Sequence, residues 1–333
     1  MNKRLLQGMA LFLIMIFVPF FLSLYYVNIL TEIFILGIFA VSLNILVGQT
    51  GLVSLGHAAF FGAGGYASGL VAANYSANVF VTIACGMLLA LLLALIIGFF
   101  SIKAYGFYFL MLTLACAQIV YSIVYQWTDV TGGSNGLSGI PTPVLFSDIQ
   151  LSNQVFIYYF ILVVFSILLF GINRLLHSPL GYVFIGIKEN EERMKSIGYN
   201  TAFFKHLSFI LAGTLGGLSG SLYVMFNGFI SPADVYWTMS GSVLIMVLIG
   251  GAGTLWGPVI GAALIVIMET IISSFTEYWM MIIGAIFILF VIFIPNGIVS
   301  IFDNFKTAIM KYRKDELEES LLKTMKKQTK MDG

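Results

Sequence analysis

From Leu5 to Asn173 the chain carries one Lys or Arg, Lys103. Its 16 lysines and arginines fall in islands: Lys3 and Arg4, Lys103, Arg174 to Lys205, and Lys306 to Lys330. Long apolar runs separate them. A charged side chain inside hydrocarbon costs roughly 2.5–3.5 kcal/mol on insertion scales. Each island therefore marks a place where the chain has left the bilayer. Lys and Arg collect on the cytoplasmic face, so the islands also mark the side.

The 333 residues are 59% hydrophobic and 9% charged, where soluble domains run at about 25% charged. The chain reads as an all-α polytopic membrane protein. Its net charge of +1 is sorted by side, with no basic patch for nucleic acid. Cys85 and Cys116 sit in apolar runs without His or Cys at ligand spacing, so no metal site and no disulfide framework is expected. Lys3, Arg4 and the apolar run to Phe20 resemble a signal peptide. No small-x-small cleavage site follows among Leu22, Ser23, Leu24, Tyr25 and Tyr26, and the run reads as a retained first span.

A crossing helix needs about 20 apolar residues. Candidate spans lie near 9–27, 30–47, 59–75, 79–101, 105–127, 154–173, 206–226, 236–250, 257–274 and 278–295. Starting inside at Lys3, four crossings return the chain inside at Lys103. Two more bring it to Arg174, and four more to Lys306. This topology of about ten helices puts both termini in the cytoplasm. The outside loops then contain or border Glu32, Asp129, Asp148, Asp234 and Glu277 and hold no Lys or Arg. A permease domain covers 1–302, with a cytoplasmic segment at 177–205 and a charged tail at 303–333.

Two stretches break the apolar pattern. Asn44 to Gly65 contains Gly48, Gly51, Gly56, Gly62, Gly64 and Gly65, with Asn44, Gln49, Ser54 and His57 among them. So many glycines do not favour a regular helix. Broken backbone at membrane depth is tolerated where it lines a cavity, but small residues also serve close helix packing. The second break runs from Gly250 to Pro258, followed by Gly261. His57 suits either a structural hydrogen bond or a ligand role. Glu269 is an intramembrane carboxylate, either snorkelling or functional. The substrate-path candidates are Asn44, Gly48, Gln49, Gly51, Ser54, His57 and Glu269. An outside loop, Thr131 to Pro141, is Gly-rich and suits an ordered turn or a partner contact.

Ser178 to Gly198 is the most specific polar stretch. Val183, Ile187, Met194 and Ile197 space an apolar face, while Glu189, Glu191, Glu192, Arg193 and Lys195 fill much of the remainder. Gly198 and Asn200 mark a helix stop. A lipid-surface helix usually has a basic polar face; mixed charge fits a protein groove better. No Lys follows a Gly anywhere, so the chain has no phosphate loop of its own.

The run Leu43 to Gly62, LNILVGQTGLVSLGHAAFFG, resembles the signature of permeases in branched-chain amino acid ABC importers. TGGSNGLSGIP at Thr131 to Pro141 resembles the outside loop of their LivM-type subunit. The S-P-L-G at Ser178, the E-N-E at Glu189 and then Gly198 and Asn200 resemble the ATPase-docking segment. GGAGTLWGPVIG at Gly250, SFTEY at Ser274 and IPNGIV at Ile294 complete the likeness, which covers about residues 30–300 in order. It departs at Arg193 or Met194, where the family commonly has a small residue.

The resemblance implies a homologous second permease, two cytoplasmic ATP-binding subunits and an extracytoplasmic binding protein that delivers Leu, Ile or Val. It implies a multi-pass protein of the bacterial plasma membrane, with ATP on the partner subunit and no cofactor or catalytic residue in this chain. Lys188, Glu189, Glu191, Glu192 and Gly198 are the ATPase-docking candidates. Urea permeases of the same family share the Gly-rich signature, so a urea or short-amide permease is one alternative. An ion-coupled secondary transporter and a structural membrane scaffold are others. Against the secondary transporter stand the scarcity of intramembrane charge and the mixed-charge helix; a scaffold predicts no transport and tolerance of Gly48→Leu or Gly51→Leu.

Overall fold

The computed structural model describes residues 15–145, 151, 153–293 and 297–300. Among them the chain is helical with no strand; two isolated bridges, Asn78 to Val144 and Leu137 to Ile230, tie loops together. The tail at 303–333 lies outside the described residues, as do residues 9–14 of the first expected span.

In chain order, α1 covers 15–21 and α2 Leu24–Asn44, which continues as a π-helical turn over Ile45–Thr50. Then come α3 (His57–Asn74), α4 (Val79–Ser101), α5 (Phe107–Gln126) and the one-turn α6 (Thr128–Thr131). After the loop follow α7 (Gln154–Leu176), α8 (Pro179–Ser196), α9 (Thr201–Asn227), α10 (Trp237–Gly250), α11 (Gly257–Ser273) and α12 (Trp279–Phe293). Among the described residues five segments are long and apolar enough to cross a membrane: Leu24–Thr50, α4, α5, α7 and α9. α10, α11 and the stretch Trp279–Phe290 of α12 are shorter and apolar.

The loops sort to two ends. Lys188 meets Gly48, Lys205 meets Glu191, and Asn44 meets the 253–254 loop, so these turns share one end. Leu137 pairs with Ile230, Asn78 with Val144, and Asn28 with Gln154 at the other. The first end holds Lys188, Arg193, Lys195 and Lys205; the second holds Asp129 and Asp234.

α2 is the central post, packed by α7, α9, α10 and α11. Its buried face carries Phe34, Ile35, Ile38 and Phe39. α3, α4 and α9 form the tightest layer, because small residues let their backbones approach. A Cβ on Gly217 would strike Ala90, and one on Gly220 would strike the Phe61 carbonyl. That packing explains a difference from expectation: Gly62, Gly64 and Gly65 lie inside regular helix α3. The break itself is confined to the π turn and residues 51–56. Neighbouring helix contact offsets the poor propensity of glycine. A second difference concerns the expected spans 9–27 and 30–47. The chain turns at residues 22–23, and α2 starts at Leu24 behind Ser23 in extended backbone.

Candidate functional site

The two Gly-rich breaks meet. The Asn44 side chain clasps the 253–254 loop from both sides: its Nδ2 donates to the Thr254 carbonyl at 2.8 Å, and its Oδ1 accepts from the Gly253 N–H at 2.8 Å. Gln49 Nε2 adds a bond to the Gly253 carbonyl at 3.0 Å. Gly48 lies under this clasp, where a Cβ would collide with Asn44 Oδ1 and the Gly253 backbone. The π turn ends at Gly51 in the left-handed region, φ 74°, against the Lys188 stem. Lys188 Nζ donates to the Gly48 carbonyl at 2.8 Å. Asn44, Gly48, Gln49 and Gly51 are thus brought together with Lys188 in one hydrogen-bonded junction.

Ser54 and His57 lie deeper in the fold and are fully buried. Ser54 Oγ accepts from the Gly56 N–H. Ser42 Oγ lies 2.7 Å from the Phe39 carbonyl, which can accept its proton. His57 Nε2 lies 2.8 Å from Ser42 Oγ and shares a hydrogen bond with it, whose direction follows the tautomer of the ring. The ring stacks on Phe39 at 5.3 Å, and its Nδ1 has no partner among the described residues. Glu269 stands apart, 12 residues along α11 from Gly257, about 18 Å at helical rise. It interacts electrostatically with Glu32 of α2, and both with Tyr223 of α9.

α8 is two half-helices. Asn190 has extended backbone, φ −159° and ψ 96°, and its Oδ1 accepts from the Arg193 N–H at 2.9 Å. It caps the second half as an N-cap residue does. Val183, Ile187 and Met194 bury against Phe204 of α9. Glu191 turns inward and pairs with Lys205 of α9, Oε1 to Nζ 2.9 Å, and accepts from the Thr201 hydroxyl at 3.0 Å. Lys205 is 3% exposed and lies 4.7 Å from the Tyr105 ring centroid. Burial pushes the Glu191 carboxyl up, but the bond and charge of Lys205, with Thr201 and Lys195, outweigh it and hold the group below its ordinary value. Lys195 is raised by its bond to Glu192.

Of the sequence candidates for docking, Glu189, Glu192 and Gly198 face outward. Lys188 and Glu191 instead spend their charged ends on α2 and α9. Ile197, expected on the apolar face, is 63% exposed, and Tyr199 beside it is exposed too. Thr201, Lys205, Tyr105 and Asn190 are functional candidates that sequence reading passed over. Only Asn190, followed by two glutamates, carried a legible cap signal.

Known proteins resemble the chain along most of its length. The family model described as branched-chain amino acid transport system / permease component matches residues 25–291. The high-affinity branched-chain amino acid transport system permease protein LivM of Salmonella typhimurium is 30% identical, over 89% of this chain and 75% of the relative. Its Escherichia coli counterpart is 29% identical over the same shares. A probable branched-chain amino acid transport permease protein LivM of Methanocaldococcus jannaschii is 27% identical, over 78% of this chain and 84% of the relative. No solved structure matches the chain.

Proposed function

The chain belongs to the permease family of branched-chain amino acid transport systems, and from that premise we propose how it works. It is the LivM-type membrane subunit of an ABC importer for Leu, Ile and Val. The family implies a transporter built with another permease, ATP-binding and substrate-binding components.

In our reading about ten helices cross the bilayer, both termini are cytoplasmic, and the end bearing α8 faces the cytoplasm of a bacterial plasma membrane. A homologous permease pairs with this chain. Two ATPases dock below, and an extracytoplasmic binding protein delivers substrate above. ATP hydrolysis belongs to the partner, and this chain performs no covalent chemistry. The ATPase grips the outer face of α8 through Glu189, Glu192, Ile197 and Gly198. Lys188 and Glu191 carry its movement inward, to the Asn44–Gly253 junction and to α9. That junction gates the cytoplasmic end of the path, which Ser54 and His57 support from within and Glu269 flanks at the far end.

One observation carries this reading: α8 is fastened on its inner side to both α2 and α9, while its outer side is open. A helix so placed moves two spans when it is moved. The test is purification of the tagged chain from its native membrane in mild detergent, with the co-purifying proteins identified, for the unaltered chain and for Ile197→Arg and Gly198→Trp. Recovery of an ATPase and a second permease, with the ATPase lost from both variants, is expected. Recovery of the chain alone, transporting leucine in liposomes without ATP, would overturn the reading in favour of a secondary carrier. Competition of labelled leucine with urea checks the short-amide alternative.

A further inference from the structure

α4 and α5 are the two long spans least covered by the rest of the fold: 28% and 22% of their most apolar windows are buried, against 83% for Leu24–Thr50. Their open faces differ in chemistry. Every exposed residue of α4 is apolar, among them Leu88, Leu92, Leu95, Ile96 and Phe99. Such a face suits lipid. The open face of α5 carries Gln118, Ser122 and Gln126 at i, i+4 and i+8. That spacing lays them in one stripe along the helix.

Gln118 lies 11 residues from Phe107, about 17 Å along the axis and so near mid-bilayer. Among the described residues no group hydrogen-bonds any of the three side chains. Ser166 of α7 shows how a serine in a span usually settles itself, by donating to the Leu162 carbonyl four residues back at 2.7 Å. Ser122 makes no such bond. An unpaired amide facing hydrocarbon costs several kcal/mol, so this stripe does not face lipid. Gln118, Ile119, Ser122, Ile123, Gln126 and Trp127 together form one shallow, open face at this end of the helix.

We propose that this face of α5 is a wall of the translocation path and a transient site for a zwitterionic aliphatic amino acid. The inference rests on the permease reading above and names where its substrate passes. A glutamine amide both donates and accepts, so the stripe can serve a carboxylate and an ammonium without holding a charge of its own. Ile119 and Ile123 offer apolar contact to a branched side chain. A neutral lining binds weakly enough to release, as conduction through a pathway requires.

The test uses the complete importer in liposomes, with ATPases and binding protein, in a Cys85→Ala, Cys116→Ala background. ATP-driven leucine uptake by that parent checks the permease reading on its own; its absence would overturn that reading and this proposal with it. Ser122→Cys and Gln126→Cys are then treated with a charged, membrane-impermeant methanethiosulfonate, with Leu92→Cys as the lipid-facing control. Modification of both stripe positions, slowed by leucine-loaded binding protein and blocking uptake, is expected, with Leu92→Cys untouched. Gln118→Leu should cut uptake about tenfold, the equivalent of one lost hydrogen bond, with co-purifying ATPase unchanged. Stripe cysteines that stay unmodified in an assembled importer, packed against the second permease or lipid, would overturn the proposal. So would modification that leucine does not slow and uptake does not feel.

Discussion

The Lys188 ammonium donates to the Gly48 carbonyl at 2.8 Å, which pins α8 to the π turn that ends α2. The contact has an electrostatic rationale. Carbonyls at a helix C-terminus carry partial negative charge and lack intrahelical partners, and a lysine end supplies both charge and donor. Lys188→Met keeps the stem against Gly51 and removes the donor. We expect ATPase docking and hydrolysis to persist while leucine uptake falls roughly tenfold, the size of about 1.4 kcal/mol of lost coupling. Parallel hydrolysis and uptake assays on one liposome preparation check this. Equal activity in both would show that Lys188 is only an anchor of surface packing.

Glu191 and Lys205 form the second tether, and here burial raises the stakes. Removing one partner of a buried pair commonly costs about 3–5 kcal/mol. The Glu191 side chain is 21% exposed and rehydrates in part, so Lys205→Met should cost about 2–3 kcal/mol, toward and below the low end of that range. The double variant Glu191→Gln, Lys205→Met should recover part of the loss. The pH dependence follows from the lowered pKa of Glu191. Stability from the pair is fully present above the ordinary value of 4.5 and is lost as pH falls through the depressed one. Thermal unfolding in detergent from pH 7 down to 3 should show this acid-side loss, and Glu191→Gln should flatten it.

The glycines of the α3–α4–α9 layer make a sharper stability prediction. Gly217→Leu and Gly220→Leu force side chains into Ala90 and into the Phe61 carbonyl. Overpacking of this kind costs about 1–3 kcal/mol or more, and backbone atoms cannot step aside as a flexible side chain can. A Cβ on Gly171 of α7 would meet nothing within 4 Å. Gly171→Leu should therefore be neutral or gain up to about 1 kcal/mol from helix propensity. Yields of folded, monodisperse protein should be near zero for the first two and normal for the third.

Hydropathy makes the helical order legible because the bilayer admits few alternatives: α4, α5, α7 and α9 fall close to the expected spans. Boundaries set by tertiary contact are less legible. The polar residues Asn28 and Glu32 suggest a loop inside what is α2, while Ser23 marks its true start. Asn44, Gly48, Gln49 and Gly51 stand out in the sequence, but not their meeting with Gly253, more than 200 residues away. Glu191 and Glu192 look alike in the sequence. Only packing sends one to Lys205 and leaves the other to Lys195. The α5 stripe escapes notice because Gln118, Ser122 and Gln126 are ordinary residues for a span until the helix is seen to leave them without partners among the described residues.

The Asn44 clasp separates a structural joint from a moving gate. Asn44→Leu leaves the Gly253 N–H and the Thr254 carbonyl without their partner, each at about 1–3 kcal/mol if no water reaches it. Gly48→Ala keeps every bonding group but wedges a methyl between the π turn and the Gly253 backbone. If the junction only holds the fold, both variants lose stability and uptake in proportion. If it opens during transport, Asn44→Leu destabilises the closed joint and should leave a leak: leucine efflux from loaded liposomes without ATP. Gly48→Ala disturbs the same closure by forcing the turn away from Gly253, and should leak as well. We expect the leak in both, and in neither Lys188→Met nor the unaltered chain. Efflux measured at a temperature where all four proteins remain folded decides between joint and gate.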